Sequence, residues 1–295
     1  MRRGALMLLC IGALTGLDSA AGAGIEFPPL LQPAGPEHPG KLIWAELFTP
    51  DLNAAEHFYG QLFGWSFRDI AIGQRAYAVA SLDGAPIAGF VQIGARRPGS
   101  PQPAWLTFLS VPNVQLAGEA ILAHGGKELS APHAYRLRGK QAVYTDPQGA
   151  VFAILNSHSG DPPDVLAAPG EWIWSALVTR DPDSGAAFYQ QVFGFEVFPL
   201  QSGVRGDHLM LASEQFARAS VNPLPRDDSQ PHWVDFVRVQ DVNRTAETAT
   251  NLGGRILVAP HADRHGGTVA LLADPSGAAI GVMDWTETSP PGAAK

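Results

Sequence analysis

The stretch FYGQLFGW at Phe58–Trp65 returns as FYQQVFGF at Phe188–Phe195, 130 positions further on. Trp44 returns as Trp174 at the same offset. A second block returns 128 positions on: Trp105, Gly125, Gly126, Pro132, His133, Asp146, Pro147 and Gly149 become Trp233, Gly253, Gly254, Pro260, His261, Asp274, Pro275 and Gly277. The matches keep their order and nearly one spacing. The repeating unit is therefore a whole domain, longer than a solenoid repeat of ~20–50 residues. Where the two copies agree, the residue type serves the fold; where they differ, one copy has kept or lost something specific.

Each copy divides again into two halves of one pattern. Leu42–Phe48 is a short strand-like run. Asn53–Phe63 then sets Ala54, Phe58 and Leu62, and Ala55, Tyr59 and Phe63, at helical spacing. In the second copy Asp181-Pro182 supplies an N-cap followed by proline at the first helical position. Gly64 and Gly194 stand where a helix C-terminal glycine belongs. Strand-like runs follow at Trp65–Ile70, Tyr77–Leu82 and Ile87–Ile93. The second half gives a strand at Trp105–Val111, a helix at Val114–His124 and strands at Lys127–Ser130, Gln141–Thr145 and Ala150–Asn156. Strand, helix, three strands is thus written four times. The expected fold is α+β: two tandem domains, each of paired βαβββ modules forming a curved eight-stranded sheet around a cavity. The domains are expected at 41–157 and 171–287, with a Pro/Gly-rich arm at 24–40, a linker at 158–170 and a short tail at 288–295.

Composition narrows the function. The 295 residues are 45% hydrophobic and 16% charged, with a net charge of −8 and no run of lysine and arginine. A nucleic-acid partner is excluded on that ground, since phosphate binding needs clustered cations. The N-terminus reads as a signal peptide over 1–23. Arg2 and Arg3 supply the positive start, and Ala5–Leu17 is apolar but shorter than the ~20 residues of a spanning helix. Ala21-Gly22-Ala23 supplies small residues for cleavage. The mature chain is expected to be exported, periplasmic or secreted, with no integral membrane span. Cys10 is the only cysteine. Its removal with the leader would exclude thiol nucleophiles, disulfides and cysteine-ligated zinc together.

The ordered, duplicated motifs F-Y-x-x-x-F-G-[WF], Gly-Gly at 125–126 and 253–254, and D-P-x-G-A at Asp146–Ala150 and Asp274–Ala278 carry a resemblance. The chain resembles the vicinal-oxygen-chelate superfamily of glyoxalase, bleomycin-resistance and extradiol-dioxygenase proteins, from Lys41 to Trp285. The motifs also have a structural reading. Phe58, Phe63, Phe188 and Phe193 form an apolar helix face, and Asp-Pro-x-Gly is a turn with glycine at positive φ.

The resemblance implies a divalent metal held by histidines or carboxylates on the first strand of each half and on the last strand. Such a site needs about three converging N or O ligands and open positions for substrate. The corresponding positions offer Trp44 and Glu46, Trp105 and Thr107, and Phe152–Ile154 in the first domain. In the second they offer Trp174 and Ala176, Trp233 and Asp235, and Ile280–Val282. Neither set is complete, so no metal ligand and no cofactor is assigned, although a divalent metal remains open. Glu46 alternates with Trp44 and Phe48 on one strand face. It is the candidate catalytic residue, a ligand or base in the cavity; the competing reading is a rim carboxylate or salt-bridge partner.

Trp44, Trp105, Trp174 and Trp233 are core packing or a stacking wall for a flat ligand. His133 and His261 are hydrogen-bonding groups at the pocket mouth or solvated turn histidines. Tyr77, Tyr135 and Tyr144 add polar groups to the first domain only, where Thr107 also stands opposite Asp235. Ligand binding is therefore expected at Trp44, Glu46, Tyr77, Trp105, Thr107, His133, Tyr144, Trp174, Trp233, Asp235 and His261, with the principal site in the first domain. The leading expectation is an exported small-molecule-binding protein of the glyoxalase/bleomycin-resistance type. A metal-dependent lyase or extradiol-type dioxygenase and a structural, assembly role are the alternatives. Oligomeric state stays open.

Overall fold

The computed structural model describes residues 27–30, 34–72, 75–94, 102–200, 208–225, 230–263 and 266–285. The leader expected at 1–23, His265 and the tail expected at 288–295 lie outside them. The first domain runs β1 (Leu42–Thr49), α1 (Leu52–Phe63), β2 (Ser66–Ile72), β3 (Arg75–Leu82), β4 (Ala85–Gln92), β5 (Ala104–Ser110), α2 (Val114–Ala123), β6 (Lys127–Tyr135), β7 (Gly139–Thr145) and β8 (Val151–Ser157). The second repeats it as β9 (Trp172–Thr179), α3 (Pro182–Phe193), β10 (Glu196–Pro199), β11 (Leu209–Ser213), β12 (Phe216–Pro223), β13 (His232–Arg238), α4 (Val242–Asn251), β14 (Arg255–Ala262), β15 (Thr268–Ala273) and β16 (Ala279–Met283). Each domain is one eight-stranded sheet, ordered β2-β3-β4-β1-β5-β8-β7-β6 and β10-β11-β12-β9-β13-β16-β15-β14. The first strand of each half pairs in parallel with the last strand of that half. The two halves join through the antiparallel pairs β1–β5 and β9–β13.

Local chemistry sets the helix ends. Asp51 and Asp181 accept from the amides of Ala54 and Ser184, which satisfies donors the first turn leaves free. Gly64 and Gly194 close α1 and α3 at φ 76° and 72°, a left-handed conformation that costs a residue with a Cβ about 1–2 kcal/mol. The Asp-Pro turns follow the same logic. One oxygen of Asp146 accepts from the amides of Gln148, Gly149 and Ala150 at 2.7–2.9 Å, and Asp274 holds Gly277 and Ala278 likewise.

The other oxygen of each turn aspartate reaches across the domain boundary. Tyr59 of the first domain donates to Asp274 Oδ2 of the second at 3.3 Å, and Tyr189 of the second donates to Asp146 Oδ2 of the first at 3.4 Å. Trp105 and Trp233 in turn donate to the two tyrosine hydroxyls at 3.0 and 2.9 Å. The recurring tryptophan, tyrosine and aspartate are thus two equivalent relays that clamp the domains together. Burial pushes both phenols far above their ordinary range, so they remain donors. The apolar clusters cross the same boundary. Phe58, Tyr59 and Phe63 of α1 pack in one core with Val242, Ala246 and Ala249 of α4, and α2 shares another with Phe188 and Tyr189 of α3. The helix-covered faces of the two sheets meet in these two shared interiors, and the opposite face of each sheet forms a cup.

Candidate functional site

Facing residues on the strands divide cleanly between cup and interior. In the first domain Trp44, Phe48, Tyr77, Val79, Val91, Leu106, Phe108, Tyr135 and Val143 share the cup. Glu46 lies with them, as its alternation with Trp44 and Phe48 predicts. Tyr77 donates to Glu46 Oε1 at 3.0 Å and Trp44 Nε1 approaches the same oxygen at 3.4 Å. Gly89, paired with Glu46, makes this contact possible, since a Cβ there would lie 2.0 Å from the Tyr77 hydroxyl. This cup is filled. Phe27 of the arm enters it edge-on to Tyr77 and Tyr135, with ring centroids at 5.0 and 4.8 Å. Arg138, from the β6–β7 turn, stacks its guanidinium 3.9 Å from the Trp44 ring centre and donates through Nε to the Pro28 carbonyl at 2.9 Å. Burial raises the pKa of Glu46, while Arg138 and the Tyr77 hydrogen bond pull it down.

The second cup repeats the architecture, and among the described residues none fills it as Phe27 and Arg138 fill the first. Trp44, Ile43, Phe48 and Val143 are 0–4% exposed, whereas their counterparts Trp174, Ile173, Val178 and Leu271 are half-buried. The walls are Ile173, Val178, Val234, Phe236, Val269 and Leu271. A polar row crosses the cup floor. Trp174 Nε1 donates to Ser220 Oγ at 3.1 Å, Asn222 Nδ2 donates to the same hydroxyl at 3.0 Å, and His208 Nδ1 meets Asn222 Oδ1 at 2.8 Å. An amide oxygen only accepts, so Nδ1 of His208 carries the proton and, in the neutral ring, Nε2 is the free acceptor. Ser220 pairs with Ala176 and Asn222 with Val178, which fixes all of them on the cup face.

A cleft of about 670 Å³ opens beside this cup. Leu42, Ile43, Pro86 and Ile87 of the first domain line it, as do Pro162–Ala167 of the linker and Trp172, Ile173, Trp174, Phe216 and Trp285 of the second domain. Trp174 and Ile173 belong to both cleft and cup. Val165, Leu166 and Phe216 remain 42–71% exposed there. At one side Asp164 accepts from Lys41 at 2.7 Å and from both terminal nitrogens of Arg218, Nη1 and Nη2. Burial pushes its carboxyl up, but those bonds outweigh it and hold the pKa down to about 2.

Several expected site residues are elsewhere. Trp105, Thr107, Trp233 and Asp235 face the interdomain interior, because Leu106 and Phe108 on β5, and Val234 and Phe236 on β13, are the cup residues. A one-residue slip in register sends every side chain to the other face. Asp235 is 2% exposed and accepts from Ser175 at 2.6 Å and Thr107 at 2.8 Å. Tyr144 packs with Val114, Ala117 and Ile121 of α2. His133 and His261 lie within strands β6 and β14 and not in turns, with His133 edge-on to Tyr135 at 4.6 Å and His261 exposed. The first cup, where the principal site is expected from the sequence, holds Phe27 against Tyr77 and Tyr135 and Arg138 against Trp44. Residues the sequence did not single out carry the geometry: Phe27, Arg138, Ser220 and Asn222. The one available signal was that His208 aligns with Tyr77.

Among the described residues, the donors do not form a family-type metal site in either cup. The first cup holds the carboxylate of Glu46 beside a cation, Arg138, with His133 against Tyr135, and the second holds the imidazole of His208. Among the described residues His38, Asp164 and Glu214 do gather outside the cups. Lys41 and Arg218 already hold Asp164, and Arg218 also reaches Glu214, so this is an ion-pair network tying arm, linker and second domain.

The comparisons agree with the architecture. The model of the glyoxalase/bleomycin resistance protein/dioxygenase superfamily matches residues 41–154, and that of the glyoxalase-like domain matches 174–283. The chain belongs to this superfamily, the vicinal-oxygen-chelate proteins, as a tandem two-domain member. It is similar to "Putative glyoxylase CFP32" of Mycobacterium bovis, 27% identical over 242 residues that span 81% of this chain and 93% of the relative. It is also similar to "Anthracycline biosynthesis protein DauV" of a Streptomyces species, 28% identical over 266 residues, 85% of this chain and 96% of that one. The fold matches the crystal structure of a Mn(II)-bound glyoxalase from Novosphingobium aromaticivorans with a TM-score of 0.61 at 16% identity, covering 84% and 83% of the two chains. It matches the 2,3-dioxygenase LapB from Pseudomonas with a TM-score of 0.59 at 14% identity, covering 88% and 96%.

Proposed function

We propose that the protein binds a flat, largely apolar small molecule at Trp174, where the interdomain cleft meets the second cup. The observation that carries this reading is the contrast between equivalent residues: Trp44 is sealed and Trp174 is half-open. The cleft falls within the ~300–1,000 Å³ of small-molecule sites, and a few polar groups in an apolar wall are what orient a ligand. His208, Asn222 and Ser220, on the cup side of Trp174 and not in the cleft lining, would supply those groups to a ligand that reaches from the cleft into the cup. The thin donor sets of both cups favour binding over a metal-dependent lyase or ring-cleaving reaction. We further propose that the chain acts after export, on the strength of its basic start, short apolar run and small residues at 21–23.

The relative named for anthracycline biosynthesis makes a fused-ring quinone the first probe, and anthraquinone-2-sulfonate is soluble enough to use. Titration should quench tryptophan fluorescence saturably at one equivalent, unchanged by prior chelation. Absence of saturation would reject the binding reading. Saturation that requires added Mn(II) or Fe(II) would move the assignment to the metal-dependent class.

A further inference from the structure

The filled cup of the first domain holds a second observation, independent of Trp174. Glu46 is 2% exposed and Arg138 1%. Both Tyr77 and Trp44 approach the same oxygen of Glu46, and Oε2 has no hydrogen-bond partner. Arg138 spends Nε on the Pro28 carbonyl, and its Nη2 also has none. A buried acceptor and a buried donor are thus both unsatisfied in one cup, although each such atom is expected to be paired. The two residues form no ion pair with each other, and both lie against Trp44: Glu46 Oε1 is 3.4 Å from its Nε1, and the Arg138 guanidinium is 3.9 Å from its ring centre. Their history in the repeat is joint. At the 130- and 128-residue offsets Glu46 becomes Ala176 and Arg138 becomes Gly266, so the second domain lacks both members together. The cover is aromatic and local: Phe27 sits against Tyr77 and Tyr135, with the Arg138 guanidinium 5.5 Å from its ring. It is carried on the arm, outside the sheet.

We propose that Phe27 is a built-in occupant of a second ligand site, and that the arm yields to a small neutral aromatic whose head group both accepts and donates. The ring would take the place of the Phe27 ring between Tyr77 and Tyr135. The head group would accept from Arg138 Nη2 and donate to Glu46 Oε2, the pattern of a primary carboxamide. A carboxylate head would satisfy Arg138 but oppose Glu46, and a plain hydrocarbon would leave both unsatisfied.

The test compares benzamide, benzoate and toluene on the full chain by isothermal titration, in the wild type and in Phe27→Ala. With the internal occupant removed, benzamide should bind at least tenfold tighter than to the wild type, and at least tenfold tighter than toluene or benzoate binds to the same variant. Adding Glu46→Gln should erase the preference for benzamide over benzoate while leaving toluene binding in place. Phe27→Leu, which removes less packing, carries the comparison if Phe27→Ala fails to fold, and should fall between. Equal binding of benzamide and toluene to a folded variant, or no gain over the wild type, would overturn the proposal. Either result leaves the Trp174 site untouched.

Discussion

Thr107 Oγ1 donates to Asp235 Oδ2 at 2.8 Å, and the two residues occupy the same position in the two copies of the repeat. Equivalent residues meet where the halves of a duplicated fold face each other, so this bond marks the pseudo-twofold centre of the molecule. Ser175 holds the other oxygen at 2.6 Å. Burial nevertheless pushes the Asp235 pKa up to about 6. A folded-state pKa above the ordinary ~3.9 means that the folded protein binds this proton more tightly than the unfolded chain does. Its contribution to stability is therefore largest below about pH 4 and is lost as pH rises through about 6, by about 3 kcal/mol for a two-unit shift. Urea denaturation at pH 4.5 and 7.5 should show about 2 kcal/mol of that drop in the wild type relative to Asp235→Asn. An identical pH difference in both proteins would contradict the account.

Thr107→Val removes one donor from a buried carboxylate while nearly keeping volume. We expect a loss of ~1–3 kcal/mol at pH 7.5, the cost of an unsatisfied buried polar group. The loss should shrink at pH 4.5, where the protonated Asp235 is less demanding. Thermal melts at the two pH values measure it.

The Tyr59–Asp274 and Tyr189–Asp146 bridges are symmetry-related and equally buried. Tyr59→Phe and Tyr189→Phe should each cost ~1–3 kcal/mol, because each leaves a tryptophan N–H short of its acceptor and a turn aspartate short of its donor. The two costs should add within ~0.5 kcal/mol, since the relays share no partner. Because both apolar interiors cross the domain boundary, unfolding followed by circular dichroism and by tryptophan fluorescence should coincide in one transition. Two separated transitions would show that the domains are not the single packed unit described.

The fold was legible in the sequence because its signals are local and repeated. Asp181-Pro182, Gly64, Gly194 and the Asp-Pro-x-Gly turns each dictate a backbone conformation without reference to distant residues. The site was less legible, for two physical reasons. Face assignment on β5 and β13 depends on register, and placing Trp105 and Trp233 on the cup side reversed Thr107 and Asp235 with them. The filling of the first cup comes from residues with no periodic pattern around them. Phe27 lies in a proline-rich arm, and Arg138 lies in a turn, where an arginine ordinarily reads as solvated. Only tertiary packing shows that both are buried.

Export has a direct readout. Intact-mass measurement of protein recovered from the producing cells should show a chain beginning at Gly24, three residues ahead of Phe27 and without Cys10. A mass that retains Cys10 would remove the export proposal and the cysteine-free argument with it.

The central claim is that the open aromatic site belongs to the second domain. Isothermal titration of anthraquinone-2-sulfonate into the wild type, Trp174→Ala and Glu46→Gln tests it, with folding verified by thermal melts. Trp174→Ala should weaken binding at least tenfold, about 1.4 kcal/mol, and Glu46→Gln should leave it within twofold of the wild type. Undiminished binding by Trp174→Ala together with loss in Glu46→Gln would place the site in the first domain and contradict the account.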